Sequence, residues 1–151
     1  MCIRDREAHR NFAFTMFHAA ETPKLRVNDL LVTDLGDGLW QVDLEIANDR
    51  LIPTRTARAA GERIGRPDIM RFEPGDGVEL LLAGPAPSRL ARTFAPVEHR
   101  PERVLVEGGI GGRDQETFRF VMRSDAAPTG TFHYEAEKAR DLEIPLGTGT
   151  E

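Results

Sequence analysis

The sequence predicts a mainly β protein: an immunoglobulin-like antiparallel β-sandwich of about seven strands, preceded by one N-terminal helix. Three observations support this prediction. Apolar residues recur with a helical period up to Ala20 and with a period of two after Pro23. Seven short runs with that second period follow, separated by Gly, Pro and Asp. The 151 residues suit one domain with a sizeable core.

The predicted helix runs from Glu7 to Ala20. Its apolar stripe follows a helical spacing and consists of Phe12, Ala13, Met16, Phe17 and Ala20. Phe14 adds apolar surface on another side, so we expect the helix to pack against more protein than a small sandwich offers. Pro23 ends the helix. We therefore assign residues 7–22 to the end of an upstream domain or to a linker, residues 23–147 to the sandwich and residues 148–151 to a tail.

The clearest strand is Trp40–Ile46, in which apolar and polar residues alternate strictly. The run Leu25–Leu35 is its predicted partner, joined to it by the hairpin signal Gly36-Asp37-Gly38. The other predicted strands are Val78–Leu82, Arg103–Glu107, Thr117–Met122, Gly130–Ala136 and Leu142–Leu146. Residues 50–77 and 83–101 show no clear period, and we interpret them as loops or as edge strands that the pattern does not reveal.

Composition excludes several function classes. The net charge is −5, and no basic stripe is present, so nucleic acid is a poor partner. No apolar stretch approaches the roughly 18 residues that a membrane span needs.

The single cysteine is Cys2. Cys2 belongs to the first six residues, whose sequence resembles one translated frame of a transposon end used to tag sequencing libraries. We therefore expect residues 1–6 to be a sequencing-adaptor artefact, which also excludes a native disulfide.

One pair of residues invites a metal hypothesis. His18 and Glu21 are three residues apart, so they share a helix face and could contact one zinc ion, with His99 or His133 as a third ligand. The alternative is that both side chains are solvated in the last turn before Pro23. We favour solvation, and the sequence predicts no catalytic, cofactor-binding or metal-binding residue.

Two glycine-rich or acidic stretches have a structural explanation. The run Gly108–Gly112 resembles a phosphate loop, but a strand follows it where such a loop needs a helix, so we predict a wide bend. The acidic residues of Asp34–Asp37 suit a turn better than a calcium site. Ser88 and Ser124 lie outside any Gly-x-Ser-x-Gly motif.

The stretch after residue 50 is loosely basic. It contains Arg55, Arg58, Arg63, Arg66 and Arg71. We interpret it as a solvated loop, and docking to an acidic partner or a neighbouring domain is the alternative.

Three segments together resemble a known junction. The helix through Leu25, the run Val42–Thr54 and the closing run Thr129–Leu146 resemble the end of large bacterial zinc carboxypeptidases of the carboxypeptidase A type. In that family a β-sandwich accessory domain follows the peptidase domain. This chain departs from the family at Asp49 and Arg50, where the family often has glycine.

The resemblance implies a non-catalytic C-terminal accessory domain of a metallocarboxypeptidase-like protein. Its partner would be an upstream peptidase domain in the same chain, which would remove C-terminal amino acids from peptides. That parent would hold one zinc through two histidines and a glutamate, with a further glutamate as general base. None of these positions is assigned here: the family motif His-x-x-Glu fits His18 and Glu21 in spacing, but it lies early in an α/β domain that the residues after Glu21 cannot form. The alternative is an immunoglobulin-like binding module for glycan or protein, with no link to a peptidase.

Overall fold

The computed structural model describes residues 3–147, which form one long helix, one short helix and eight strands. The elements in chain order are α1 (Ile3–Ala20), β1 (Leu25–Gly36), β2 (Leu39–Asn48), α2 (Ala57–Gly61), β3 (Asp68–Pro74), β4 (Glu79–Ala86), β5 (Arg103–Val106), β6 (Gln115–Arg123), β7 (Gly130–Glu135) and β8 (Leu142–Leu146). Of the predicted boundaries, those on residues 1–2 and on the tail 148–151 lie outside the described residues.

The strands form two antiparallel sheets of four. Sheet A has the order β1-β2-β6-β4, and sheet B has the order β5-β3-β7-β8. The mainly β sandwich preceded by a helix is therefore confirmed, and every one of the seven predicted strands is present. The eighth strand is β3, which occupies part of the stretch 50–77. It lies inside sheet B between β5 and β7, so the interpretation of these residues as a loop or an edge strand was wrong. Only Met70 and Phe72 point into the core there, and the neighbouring Ile69 is also buried, so the alternation is too short to recognise.

The core lies between the two sheets and is rich in aromatic rings. Phe72 and Phe132 from sheet B meet Phe120 from sheet A, with ring centroids 4.5 to 5.9 Å apart. All three are almost completely buried. Trp40 packs against this core while its indole N–H donates to the Ser124 carbonyl at 3.1 Å. The aromatic cluster therefore joins the two sheets into one hydrophobic unit.

Helix α1 begins at Ile3, four residues earlier than predicted, and ends at Ala20 as expected. Four large apolar side chains of α1 are not covered by the sandwich: they are more than half exposed, at 64% for Phe12, 65% for Phe14, 53% for Met16 and 54% for Phe17. Neither helix in the described part of the chain has the length and hydropathy to cross a membrane.

The helix is attached to the sandwich just after its end. The Glu21 carboxylate accepts the Leu51 N–H at 3.0 Å, and the Glu21 carbonyl accepts the Ile52 N–H at 3.2 Å. Arg50 lies 3.8 Å from the same carboxylate. This cluster of bonds fixes the end of α1 to the loop after β2.

The outer edge of β4 is covered by the chain itself. After β4 the loop turns back, and Ala95 and Val97 donate their N–H groups to the carbonyls of Pro85 and Ala83, at 3.2 and 2.8 Å. Pro85 has no N–H to lose at this edge position. Between them, Gly84 leaves no room for a side chain, because an added Cβ would lie 2.1 Å from the Ala95 carbonyl oxygen. The stretch 83–101 thus contains the last four residues of β4 and a segment bonded to them.

Candidate functional site

The expectation that His18 and Glu21 are both solvated is confirmed for His18 and wrong for Glu21, whose carboxylate is bonded within the fold. The His18 ring is exposed, and its Nδ1 atom lies 2.9 Å from the Phe14 carbonyl oxygen, while Glu21 is bonded to the loop after β2. His133 lies on the outer face of sheet B, 3.6 Å from Glu73, and His99 lies in the loop before β5. Within residues 3–147, no three His, Cys, Asp or Glu side chains come together as metal ligands would. The residues present in this domain therefore do not fit a zinc centre.

The glycine run Gly108–Gly112 forms the connection between β5 and β6, as predicted. Gly109 has a φ of +63°, in the left-handed region, and an added Cβ at Gly112 would lie 1.9 Å from the Leu51 carbonyl oxygen. The run therefore lets the loop after β2 lie directly against it. The glycines therefore serve a close contact between two backbone segments, and they do not form a phosphate-binding loop.

Asn48 is the hub of that loop contact. Its Oδ1 atom accepts the N–H groups of Lys24 at 3.2 Å and of Arg50 at 3.1 Å. Its Nδ2 group donates to the carbonyls of Ile52 at 2.9 Å and of Gly111 at 3.0 Å. All four hydrogen bonds of the amide are thus used within the fold. This asparagine belongs to the run Val42–Thr54 on which the family resemblance rests.

A second buried polar cluster surrounds Asp68. The Tyr134 hydroxyl donates to its Oδ2 atom at 3.1 Å, and the Thr54 hydroxyl donates to the same oxygen. The Ile110 N–H in turn donates to the Thr54 hydroxyl at 2.8 Å. Burial raises the pKa of the Asp68 carboxyl, and the two hydroxyl donors only partly oppose this. Burial, followed by the negative charge of Asp68, also raises the pKa of Tyr134. The cluster joins loop residues to sheet B.

The basic stretch divides into two groups. Arg58, Arg63 and Arg66 are exposed, as interpreted from the sequence. Arg55 is not a solvated loop residue: it is 5% exposed. Its guanidinium donates to the carbonyls of Glu107 at 2.9 Å and of Ala59 and Ile64, each at 3.2 Å. Arg71 lies on β3 and pairs with Glu135 at 2.6 Å. The interpretation of these two as part of a solvated loop was therefore wrong, because both bind groups distant in sequence.

The outer face of sheet A carries a buried ion pair. Asp43 and Arg119 are both about 3% exposed and form a bidentate contact of 2.7 and 3.1 Å. The loop after β4 covers them: Arg119 also donates to the carbonyls of Ala91 at 2.6 Å and Arg89 at 2.9 Å. The Phe94 ring lies 5.9 Å from the Arg119 guanidinium carbon. This ion pair therefore holds the loop against the sheet.

A groove opens beside that loop, where β4 ends. Its walls are Pro85, Ala86 and Pro87 on one side and Thr93, Phe94 and Ala95 on the other, and it encloses about 430 Å³. An adjoining cavity of about 160 Å³ reaches towards Val104, Val106 and Phe118. Pro85 and Glu116 line both cavities. The groove is thus mainly apolar, and the Glu116 side chain is the one carboxylate among the residues that line it.

Glu116 has an unusual position for an acid. It pairs with Ile46 in the register of sheet A and shares the inward-facing phase of Phe118 and Phe120, at the open end of the sandwich. Burial, and then the nearby charge of Asp114, raises the pKa of its carboxyl. Within residues 3–147, its carboxylate makes neither an ion pair nor a hydrogen bond. The sequence contains the signal for this residue, since Glu116 occupies an apolar phase of a strand, but the predicted strand began one residue later.

The comparisons with known proteins identify one family and one distantly similar structure. A family model described as "Domain of unknown function (DUF8731)" matches residues 24–146. No curated protein matches the chain. A conjugate transposon protein from Bacteroides vulgatus, solved by solution NMR, is similar at 15% identity and a TM-score of 0.41, covering 87% of this chain and 88% of that one.

Proposed function

The chain belongs to the DUF8731 family, whose domain spans residues 24–146, and from this premise we propose that the sandwich is a non-catalytic accessory domain. In this proposal, α1 connects the sandwich to a preceding domain and packs against it. The resemblance of the junction to zinc carboxypeptidases of the carboxypeptidase A type suggests that the preceding domain is a peptidase.

The observation that supports this proposal is the exposed apolar surface of α1. The helix lies outside the matched family domain, and Phe12, Phe14 and Phe17 are each more than half exposed. Phe12 and Phe14 point to nearly opposite sides, because side chains two positions apart in a helix are rotated by about 200° around its axis. A helix that is apolar on several sides is typical of one surrounded by protein. Burial of each ring would gain roughly 1.5–3 kcal/mol.

The attachment of α1 supports the same function. Glu21 fixes the end of the helix to Leu51 and Ile52, so a protein surface that encloses α1 would also hold the sandwich at a defined place. The zinc and the general base of a parent peptidase would then belong to the preceding domain, since His18 and Glu21 make no metal centre here. An accessory domain of this kind acts by covering or positioning the peptidase.

The experiment that tests this proposal begins with the genomic reading frame upstream of Glu7. The longer protein and the 151-residue chain are purified, and zinc content and release of C-terminal amino acids from peptides are measured for both. We expect one zinc per molecule and peptidase activity in the longer protein alone. An unrelated upstream domain, or zinc-dependent activity of the short chain that Glu21→Ala abolishes, would overturn it.

A second measurement tests the docking of α1 separately from catalysis. Hydrogen exchange of the α1 amides is compared between the longer protein and the short chain. We expect slower exchange in the longer protein, and a return to fast exchange in its Phe12→Ser/Phe17→Ser variant. Equal exchange in both proteins would show that nothing covers the helix.

A binding module without a link to a peptidase is the second candidate function. The groove at Glu116 favours it, because an apolar cleft with one carboxylate can hold a ligand group.

A further inference from the structure

We propose that the groove where β4 ends binds a lysine side chain of a partner polypeptide, and that Glu116 binds the lysine ammonium group. This inference does not depend on the proposed accessory role, because every residue of the groove lies within the family domain 24–146 and none belongs to α1.

The shape and lining of the groove suit an aliphatic stem. Pro85 and Pro87 form one wall, and Thr93 and Phe94 form the other, with most of the lining surface apolar. The groove is open to solvent along its length and encloses about 430 Å³. A lysine can lay its four methylene groups along such walls while its head reaches a polar group, as amphipathic side chains commonly do.

The negative charge of Glu116 and of its neighbours favours a cationic ligand group in the groove. The half-buried Glu116 carboxylate has no ion-pair or hydrogen-bond partner among the described residues, and partial burial raises its pKa, so a bound cation would stabilise its charged form. Its charged neighbours are also acidic: Asp114 lies just before the start of β6, and Glu107 lines the adjoining cavity. Two arginines of neighbouring segments are already engaged: Arg119, on the same strand, by Asp43, and Arg55, beside Glu107, by three backbone carbonyls. A partner's ammonium group would therefore complete an incomplete ion pair.

Lysine fits this site better than arginine does. A guanidinium group is planar and is bound best by several acceptors that form a fork. Here Glu116 supplies one carboxylate, and the other lining residues are two prolines, two alanines, a threonine and a phenylalanine. A compact ammonium group needs only one close carboxylate, and its other N–H groups can reach water at the open side of the groove.

The direct test is a peptide titration of the 151-residue chain followed by ¹H–¹⁵N NMR. The probe is acetyl-Gly-Gly-Lys-Gly-Gly-amide, and matched peptides carry norleucine, ε-acetyl-lysine or arginine at the central position. We expect saturable shifts confined to residues 85–87, 93–95 and 114–118 with the lysine peptide. Loss of a charge-assisted hydrogen bond corresponds to about ten-fold weaker binding or more, so we expect at least that for norleucine and ε-acetyl-lysine. Equal affinity of lysine and norleucine peptides, tighter binding of arginine, or the absence of saturable shifts would overturn the proposal.

Two further measurements isolate Glu116. Glu116→Gln keeps the shape of the side chain and should weaken lysine binding by about ten-fold or more, whereas Glu62→Gln, an exposed acid after α2, should leave it unchanged. Carboxyl ¹³C NMR of the native chain should show the Glu116 pKa falling when the lysine peptide binds, because the ammonium group favours the charged form. An unchanged pKa at saturation, or full affinity in Glu116→Gln, contradicts the assignment. The pKa measurement decides the question even if the variant does not fold.

Discussion

Buried polar side chains connect the loops of this sandwich to its sheets. Asn48 joins the loop after β2 to the glycine run, Asp68 joins Thr54 to Tyr134, and Arg119 joins Asp43 to the loop after β4. Buried polar groups of this kind contribute little when paired but cost much when one partner is lost. Stability of this domain is therefore most sensitive at these few positions.

Removal of the Asn48 amide tests that sensitivity. Asn48→Ala leaves two N–H donors and two carbonyls without their partner, so we expect the free energy of unfolding to fall by about 2–4 kcal/mol. Urea denaturation measures it. The matched control is Asn11→Ala on exposed α1, for which we expect a change within about 0.5 kcal/mol. Similar changes in the two variants would show that the hydrogen bonds of Asn48 do not stabilise the contact between the loop after β2 and the glycine run.

The ion pair of Asp43 and Arg119 gives a second residue-scale prediction. Arg119→Met leaves the buried Asp43 carboxylate without its cation, with one hydrogen bond from Gln41, and should cost about 3–5 kcal/mol, whereas the double variant Asp43→Leu/Arg119→Met should recover most of this loss. Chemical denaturation measures both. In the double variant, the Arg89 and Ala91 carbonyls still lack their donor, so hydrogen exchange in the loop after β4 should remain faster than in the native chain. Native exchange there would contradict the role of Arg119 in holding the loop.

The buried Asp68 predicts a pH dependence of stability. Burial raises its pKa above the unfolded value of 3.8, so the folded chain keeps this proton to higher pH than the unfolded chain does. Stability associated with Asp68 is therefore greatest below pH 3.8 and falls as pH rises through the raised pKa. Asp68→Asn still accepts from Thr54 and Tyr134, and its urea midpoints should vary less between pH 4 and 7. The exposed control Asp76→Asn should keep the native profile.

None of these pairs could be predicted from the sequence, because their partners are far apart along the chain. Asp43 and Arg119 are separated by 76 positions, and Asp68 and Tyr134 by 66. In the sequence, each of these residues is indistinguishable from an ordinary polar residue of a strand. Glu116 differs, since an acid in the apolar phase of β6 is visible in the sequence once the strand is begun at Gln115.

At the scale of elements, strands were predictable where apolar and polar residues alternate over several positions. In β2 the inward residues Val42, Leu44 and Ile46 alternate with polar ones, whereas in β3 only Met70 and Phe72 do. The helix was predictable as well. The surface that covers it was not, because a stripe of phenylalanines predicts contact with other apolar groups and does not identify them.

Independence of α1 from the sandwich leads to an element-scale prediction. A chain that begins at Glu21 keeps the bonds to Leu51 and Ile52, and the side chains of residues 6–20 that it loses are exposed, so its free energy of unfolding should match that of the full chain within about 0.5 kcal/mol. Urea denaturation measures this. Light scattering should also show less self-association in the shortened chain. A large loss of stability would place α1 in the fold of the domain itself.

At the scale of the whole molecule, one aromatic core serves both sheets. Phe120 in sheet A contacts Phe72 and Phe132 in sheet B, so neither sheet can open without exposing the same cluster. The residue content of this core was predictable from the inward phases of the strands. The pairing order of the strands was not, because the hydrophobic pattern specifies which side chains face inward and not which strands are neighbours.

The shared core predicts a single cooperative unfolding transition. Fluorescence of Trp40, the only tryptophan, and far-UV circular dichroism should give coincident urea curves. Phe120→Ala should shift both curves together and cost about 3–5 kcal/mol, whereas an exposed Leu90→Ala variant should shift neither. Separate transitions in the two signals would show that the sheets unfold independently.

The segment Ala95–Val97 has a consequence for solubility. By bonding to the carbonyls of Ala83 and Pro85, it occupies positions at which a strand from another molecule would otherwise pair with β4. The length of the preceding loop is what lets the chain reach back this far. Shortening that loop would leave a bare strand edge, and the first sign of damage would be aggregation during expression and refolding.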